Sequence, residues 1–527
     1  MGFYLNPGYE NFKETLASPI YIDKTMMLHE LNQFMNTSKK FLCISRPRRF
    51  GKTIASEMIS AYYSRGCDAG ELFAGLKIAG AEDFKKNLNR FNVIKIDLNS
   101  EYQNVENKND LFKRIRTKLR REAKKQYPDL EIYEGDTLAD IILAIYELTG
   151  EPFVFIMDEY DVLVREEVPE SLFEEYLSFL NGLFKSATVR PAVALAYLTG
   201  ILPIVRDKIQ SKLNNFHEYT ILNAGNLAEY IGFTAEEVME LCKKYGMDYE
   251  ECKSWYDGYV QNGYELYNPE SVVMCMENGQ YDGFWSRTST YLAISDRIQE
   301  NFEGTREDVV RMLAGESVAV NVTRYTNTMT GFKNRSDVFT YLCHIGYLAY
   351  DREEKTCRIP NKEVKLEWFN AIEDDEEYRQ TDKIIKASKE LLKETIRGNE
   401  EAVAKALDES HIHVTSNRSY NNEDALQSAI YLAYIYAINQ YFVFREVTAG
   451  KGFADVIFVP IKGGAADTPA MVIELKRNDC TESAIGQIKK KEYFKALDGY
   501  EGKLLFVGIN YDEKEKTHSA KIETFEC

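Results

Sequence analysis

The stretch Cys43–Met58 reads CISRPRRFGKTIASEM and sets Gly51, Lys52 and Thr53 between an apolar run and a helical pattern. A strand-to-helix turn of this kind can cradle phosphate, because a helix N-terminus offers unpaired N–H groups and a positive dipole end. Gly51 would let the backbone approach the anion closely. Lys52 would reach the outer phosphates, and the Thr53 hydroxyl would hold a magnesium ion. The usual loop is G-x-x-x-x-G-K-[ST], and here Arg46 stands in place of the first glycine. The triplet alone is therefore a weak signal. A second element strengthens it: FVFIMDEYD is a buried-strand pattern ending in Asp158 and Glu159. Acidic residues at the carboxyl end of a parallel strand lie where open α/β sheets take their ligands. Asp158 would coordinate magnesium and Glu159 would orient or polarise an attacking water. Taken alone, DEYD would read as a helix cap; taken with the loop, it indicates nucleotide binding.

A second constellation lies near the C-terminus. GFADVIFVP carries Asp455, and AMVIELKRND carries Glu474 and Lys476. Strand residues two apart share a face, so Glu474 and Lys476 point the same way. Converging carboxylates bind a hard divalent cation, usually magnesium. A neighbouring lysine can orient water and offset charge developing on a phosphate. IKGGAADT between the two runs reads as a glycine-rich hairpin, making the strands adjacent and antiparallel. The bland alternative is a solvated hairpin with an ordinary Glu–Lys pair.

The elements that must position these residues are legible as an alternation. KFLCIS (Lys40–Ser45), NVIKIDL (Asn92–Leu98), FVFIMD (Phe153–Asp158) and VALAYLT (Val193–Thr199) are strand-like, with amphipathic helical stretches such as Asp110–Gln126 and Thr137–Leu148 between them. Alternation of this kind implies a mostly parallel sheet covered on both faces, an α/β class. From about Leu227 the pattern becomes helical; FTAEEVMELCKKYG opens on Thr234 with Glu237 three residues later, a capping box. NEDALQSAIYLAYIYAINQYF reads as a strong helix ahead of a second, smaller α/β unit. The 527 residues carry a net charge of −18, which excludes coating of nucleic acid or anionic membrane by bulk attraction but not a local basic groove. KLRREAKK (Lys118–Lys125) and KKK (Lys489–Lys491) are read as solvated helix faces. Nine scattered cysteines without metal-ligand spacing fit a reducing compartment. MGFYLNPGYENF lacks a leader pattern, Asn6 breaks a myristoylation signal, and the apolar run Ala192–Val205 is too short for a bilayer. A cytoplasmic protein without membrane contact is expected.

SPIYIDKT, SRPRRFGKT, VFIMDEYD, YLTGILPI, SKLNNF and SWYDGY…LYNPESV resemble, in that order, the bacterial AAA-ATPase-like family over roughly residues 1–290. The resemblance implies a P-loop NTPase sheet with a helical lid, and a loop in which Arg46 is the family's own variant. It implies ATP and Mg²⁺ as cofactors, with Arg48, Arg49, Phe50, Gly51, Lys52, Thr53 and Asp158 around the nucleotide, and Thr199 as a polar sensor. Arg46, Arg48 and Arg49 would add positive charge beside the phosphates. WYDGY is expected to pack the lid, and His217 to be structural; Arg206 is a candidate arginine finger, with a surface arginine the preferred reading. Residues 400–527 resemble the PD-(D/E)XK nuclease superfamily, helped by the ATPase family's habit of carrying such a tail. That resemblance adds Glu423, opening the helix upstream, and Gln487, on the helix downstream, to Asp455, Glu474 and Lys476. No proline precedes Asp455, a minor departure. A restriction-endonuclease-like C-terminal domain follows.

The expected organisation is a core over 1–225, a helical lid over 226–300, a helical linker or winged-helix-like region over 301–400 and the nuclease-like domain over 401–527. The expected function is ATP binding and hydrolysis gating Mg²⁺-dependent cleavage of nucleic acid, DNA before RNA, in a chain able to form a homo-oligomer. The rival expectation is a non-catalytic nucleotide switch whose C-terminal domain only binds DNA or protein; a helicase is disfavoured, since no second set of motor motifs is visible.

Overall fold

A computed structural model describes residues 2–166, 168–204, 214–285, 302, 305–313, 315–325, 332–373, 379–414, 426, 429–430, 433–434, 436–437, 440–449, 452–460, 468–492 and 502–526. Their contacts gather into two units, one built mainly from Met1–Thr290 and Ser317–Glu367, the other mainly from Trp368–Cys527.

In the first unit five parallel strands stand in the order β2-β3-β4-β1-β5. They are β1 (Phe41–Ser45), β2 (Asn92–Asp97), β3 (Phe153–Asp158), β4 (Val193–Gly200) and β5 (His217–Tyr219). β1, β3 and β4 are buried at every position, because helices cover both faces and no side can be left polar. That is why these strands read as unbroken apolar runs. Helices α1 (Lys52–Tyr63), α2 (Leu111–Gln126), α3 (Leu138–Thr149) and α4 (Glu170–Phe184) follow β1, β2 and β3. α3 starts on the Thr137/Asp140 capping box and stops at Gly150, whose φ of 69° ends it in the left-handed region. Ile115, Leu119, Ile141, Leu177 and Leu180 bury against the sheet in one core.

The region expected as a helical lid is mixed. It holds a three-stranded antiparallel sheet, β6 (Phe233–Thr234), β8 (Tyr264–Tyr267) and β7 (Tyr259–Gln261), with helices α5 (Ala235–Tyr245), α6 (Tyr249–Tyr256) and α7 (Pro269–Asn278). The Thr234/Glu237 capping box is present. WYDGY supplies core: Tyr256 and Tyr259 are buried, and their hydroxyls donate to Asp282 O (3.0 Å) and Gly346 O (2.5 Å). The 301–400 stretch, expected as a helical linker or winged-helix-like region, contains a small sheet, β10 (Ala349–Asp351), β11 (Thr356–Arg358) and β9 (Val318–Ala319), before helix α8 (Lys362–Glu373).

The second unit carries helices α9 (Arg379–Arg397) and α10 (Glu400–Val414) and a five-stranded sheet, β12 to β16 in sequence order. β12 (Tyr441–Ala449), β13 (Gly452–Pro460) and β14 (Ala470–Arg477) are antiparallel; β15 (Lys503–Asp512) runs parallel to β14, and β16 (Thr517–Glu526) antiparallel to β15. Helix α11 (Thr481–Lys491) supplies the crossover from β14 to β15 and packs Ile485 and Ile488 on the sheet. Among the described residues no helix is long and apolar enough to cross a membrane, and the eight described cysteines are all free thiols.

Candidate nucleotide and phosphodiester sites

Gly51 is the N-cap of α1, with φ 88°. The open loop ahead of it turns on a second left-handed residue, Arg49. A cleft of about 890 Å³ opens at this helix start, and Arg48, Gly51, Lys52, Thr53, Asp158 and Glu159 line it. Lys52 is 5% exposed and donates to Pro47 O at 2.8 Å. Burial holds its ammonium below the usual range, while Glu159 and Asp158 act in the opposite sense. Asp158 ends β3, accepts Ser56 Oγ at 3.3 Å and takes the Glu159 N–H at 3.0 Å. Burial raises its carboxyl above the ordinary value; Thr53 and Lys52 offset part of that. Glu159 lies in the left-handed region with φ 51° and is raised by burial and by the charge of Asp161. The cleft wall also carries apolar side chains, Ile20, Ile22, Phe233, Val273 and Met274.

Of the three loop arginines expected beside the phosphates, Arg48 and Arg49 line the cleft and Arg46 does not. Arg46 is fully buried and is absent from the cleft wall; its Nη1 donates to Ser45 O (2.9 Å) and Tyr219 O (3.0 Å), tying β1 to β5. Burial pulls its guanidinium down to about 10. Here the charge is a structural strut, because its hydrogen bonds go to backbone carbonyls of two adjacent strands. Arg49 lines the cleft but donates to Phe284 O at 2.9 Å and pairs with Glu270 at 3.5 Å, joining the loop to the lid. Phe50 is buried edge-on to Tyr259. Thr199 is fully buried in β4 and does not reach the cleft wall. His217 lies in β5, also off that wall. Arg206 falls outside the described residues.

Residues that sequence reasoning missed complete the acidic end. Arg165 lines the cleft, pairs with Glu159, and reaches Asp161 at 3.2 Å. Asp161 in turn accepts the N–H groups of Ile201 (3.0 Å) and Leu202 (2.8 Å), pinning the exit of β4. The only signal in the sequence is the four-residue spacing of Asp161 and Arg165. Asp97 stands opposite Asp158 in the β2–β3 register and also borders the cleft.

In the second unit, β13 and β14 pair with Val456 opposite Ile473. One step further that register sets Asp455 opposite Glu474, on one face. Asp455 Oδ2 accepts the Leu475 N–H at 2.7 Å. Lys476 Nζ donates to Glu474 Oε1 at 3.0 Å and to Gln487 Oε1 at 2.8 Å. Glu474 is 2% exposed, and burial with the adjacent Asp455 charge pushes its carboxyl up to about 7. Its Oε2 is a buried acceptor without a hydrogen-bond partner. A divalent cation would satisfy that atom and relieve the like-charge contact, so the donor set fits a hard metal. Glu423 and the expected hairpin turn lie outside the described residues.

Residues 7–210 match the family described as a predicted AAA-ATPase, and residues 421–521 match the PD-(D/E)XK nuclease superfamily. An uncharacterized protein in the vnfD 5′ region of Azotobacter chroococcum mcd 1 is 24% identical over 290 residues, 53% of this chain and 52% of that protein. The chain thus spans about half the length of the curated relative it matches. Among solved structures, the Aeropyrum pernix ORC2 protein in ADPNP–ADP complexes is 12% identical, with a TM-score of 0.32 over 67% of this chain and 96% of that one. The Aeropyrum pernix ORC1 protein in complex with DNA is 11% identical, with a TM-score of 0.26 over 71% and 97%. These scores are too low to add anything to the parallel sheet order and the two domain matches.

Proposed function

We propose that this chain, which joins a predicted AAA-ATPase domain to a PD-(D/E)XK nuclease superfamily domain, binds and hydrolyses ATP and cleaves nucleic-acid phosphodiester bonds under the control of nucleotide state. The observation that carries the reading is a lysine set among carboxylates in each unit: Lys52 with Asp158 and Glu159, and Lys476 with Glu474 and Asp455. At the first site the Gly51 turn, Arg48 and Lys52 bind phosphates. Thr53 and Asp158 would hold Mg²⁺, Glu159 orients water, and the apolar side chains of the cleft wall take the base. At the second site Asp455 and Glu474 would hold Mg²⁺, whose role when bound is Lewis-acid polarisation of a phosphoryl oxygen. Lys476, steadied by Gln487, positions water and meets charge developing on the phosphate. In this reading 1–225 is the nucleotide core, 226–300 its lid, 301–400 the connection and 401–527 the nuclease-like part. DNA in the cytoplasm is the substrate we assign, and self-association of the chain belongs to the same proposal.

The test incubates linear, circular and single-stranded substrates with and without ATP and Mg²⁺. The expected result is metal-dependent cleavage that Lys476→Ala abolishes and Lys52→Ala uncouples from ATP. Unchanged cleavage in Lys476→Ala would show that the second site is misassigned. ATP-dependent binding with no cleavage of any substrate would make the chain a switch instead.

A further inference from the structure

Helix α2 carries eight Lys or Arg among its sixteen residues, in a chain of net charge −18. Its one carboxylate, Glu122, is turned inward and accepts the N–H groups of Phe3 (3.1 Å), Tyr4 (2.9 Å) and Leu5 (2.9 Å). Three of the cations serve the fold. Arg114 and Lys118 pair with Glu101, and Arg120 donates to the carbonyls of Glu134 and Asp136. Among the described residues the side chains of the other five, Lys113, Arg116, Arg121, Lys124 and Lys125, make no ion pair or hydrogen bond, and all but the half-buried Arg116 are exposed.

At 100° per residue these five occupy about half the helix circumference, opposite the buried stripe of Leu111, Ile115, Leu119 and Ala123. From Lys113 to Lys125 they extend about 18 Å along the axis. A merely solvated face mixes both signs of charge. Lys124 and Lys125, in the last turn, are favoured by the helix dipole, but Lys113 sits in the first turn against it, and Arg116–Arg120, Arg120–Lys124 and Arg121–Lys125 are like-charge pairs four apart, a cost to folding. A bound polyanion would remove both penalties.

We infer that the outer face of α2 is a docking surface for the phosphate backbone of nucleic acid, the electrostatic anchor that delivers substrate. An 18 Å run of cations spans about five base pairs of duplex at about 3.4 Å each. The inference rests on the nucleic-acid part of the proposed function and deepens it. Residues 401–527 hold 15 Lys/Arg against 19 Asp/Glu, a net of −4, so the nuclease-like part supplies no bulk attraction of its own. An acidic protein is the competing occupant and is an outcome of the test.

The experiment measures binding of the full chain to a fluorescent 30-base-pair duplex by anisotropy, in EDTA, from about 50 to 300 mM KCl. The triple variant Lys113→Glu/Arg121→Glu/Lys125→Glu changes only exposed side chains and leaves both proposed active sites intact. It should bind at least about tenfold more weakly at 100 mM salt. The slope of log affinity against log salt should become less negative by about 0.9 per cation removed, near 2.7 in all. The corresponding Gln triple variant should move the same way by less and stands in if charge reversal prevents folding. ATP hydrolysis without nucleic acid should not change. If the wild type binds and cleaves while the variants keep its affinity and slope, the docking surface is refuted and the proposed function stands. If the wild type neither binds nor cleaves any nucleic acid, it is the function that fails. Binding of polyglutamate but not duplex through these residues would assign the face to an acidic protein and overturn the inference.

Discussion

Glu363, in the first turn of α8, is 1% exposed, and its Oε1 accepts the N–H groups of Phe284 at 2.7 Å and Trp285 at 3.0 Å. Phe284 O receives Arg49 from the loop ahead of α1, so this carboxylate braces the irregular segment that meets the loop. Burial, only partly offset by the two N–H groups, pushes the carboxyl up to about 7 from an ordinary 4.5. The unfolded chain releases this proton near pH 4.5 and the folded chain near 7. Between these values the folded state therefore binds more protons, and stability falls as pH rises. The difference amounts to about 3 kcal/mol, fully present below pH 4.5 and gone above 7. Glu363→Gln keeps a carbonyl acceptor and removes the charge, so it should match the wild type near pH 5 and exceed it by up to about 3 kcal/mol at pH 8. Glu363→Ala instead leaves two buried N–H groups without an acceptor, a loss of about 1–3 kcal/mol for each below pH 4.5, which shrinks by about 3 kcal/mol above pH 7 because the titrating carboxyl is gone as well. Urea unfolding at pH 5, 6, 7 and 8, followed by the fluorescence of Trp255, Trp285 and Trp368, measures both. Should Glu363→Gln retain the wild-type pH slope, Glu363 is not the titrating group and the reasoning fails.

Gly51→Ala meets no atom within 4 Å of the added Cβ, so its cost is the left-handed backbone alone, about 1–2 kcal/mol by chemical unfolding. Arg46→Ala should lower stability by about 3 kcal/mol, from a cavity and two lost hydrogen bonds, with the Kd for a fluorescent ATP analogue unchanged; a tenfold weaker Kd at equal stability would return Arg46 to the nucleotide site. Lys52→Ala should weaken that Kd at least about tenfold. Mg²⁺ at 100 times its Kd should stabilise the second unit by about 2.7 kcal/mol in calorimetry, and Asp455→Asn should abolish the effect.

The parallel core was open to reading because its information is local. FLCIS, FVFIMD and VALAYLT each lack a polar face, and a strand buried on both sides allows no other composition. The Thr234/Glu237 capping box is equally local, three residues wide. The two small sheets within the lid and middle regions were hidden because their strands are only two to four residues long, shorter than a periodicity can register.

Residue types and spacing by themselves determined that a Gly-Lys-Thr turn follows one strand, that acids end another, and that Glu474 and Lys476 share a face, since each follows from the two-residue strand repeat or the start of a helix. Tertiary structure alone decided which charges meet. It buried Arg46 as a strut between β1 and β5, gave Glu159 to Arg165, set Gln487 on Lys476 across a loop, and used three cations of α2 inside the fold while leaving five outside. The reason is physical: a side chain's partner is set by strand register and helix packing between segments far apart in the chain, and no local pattern encodes that distance.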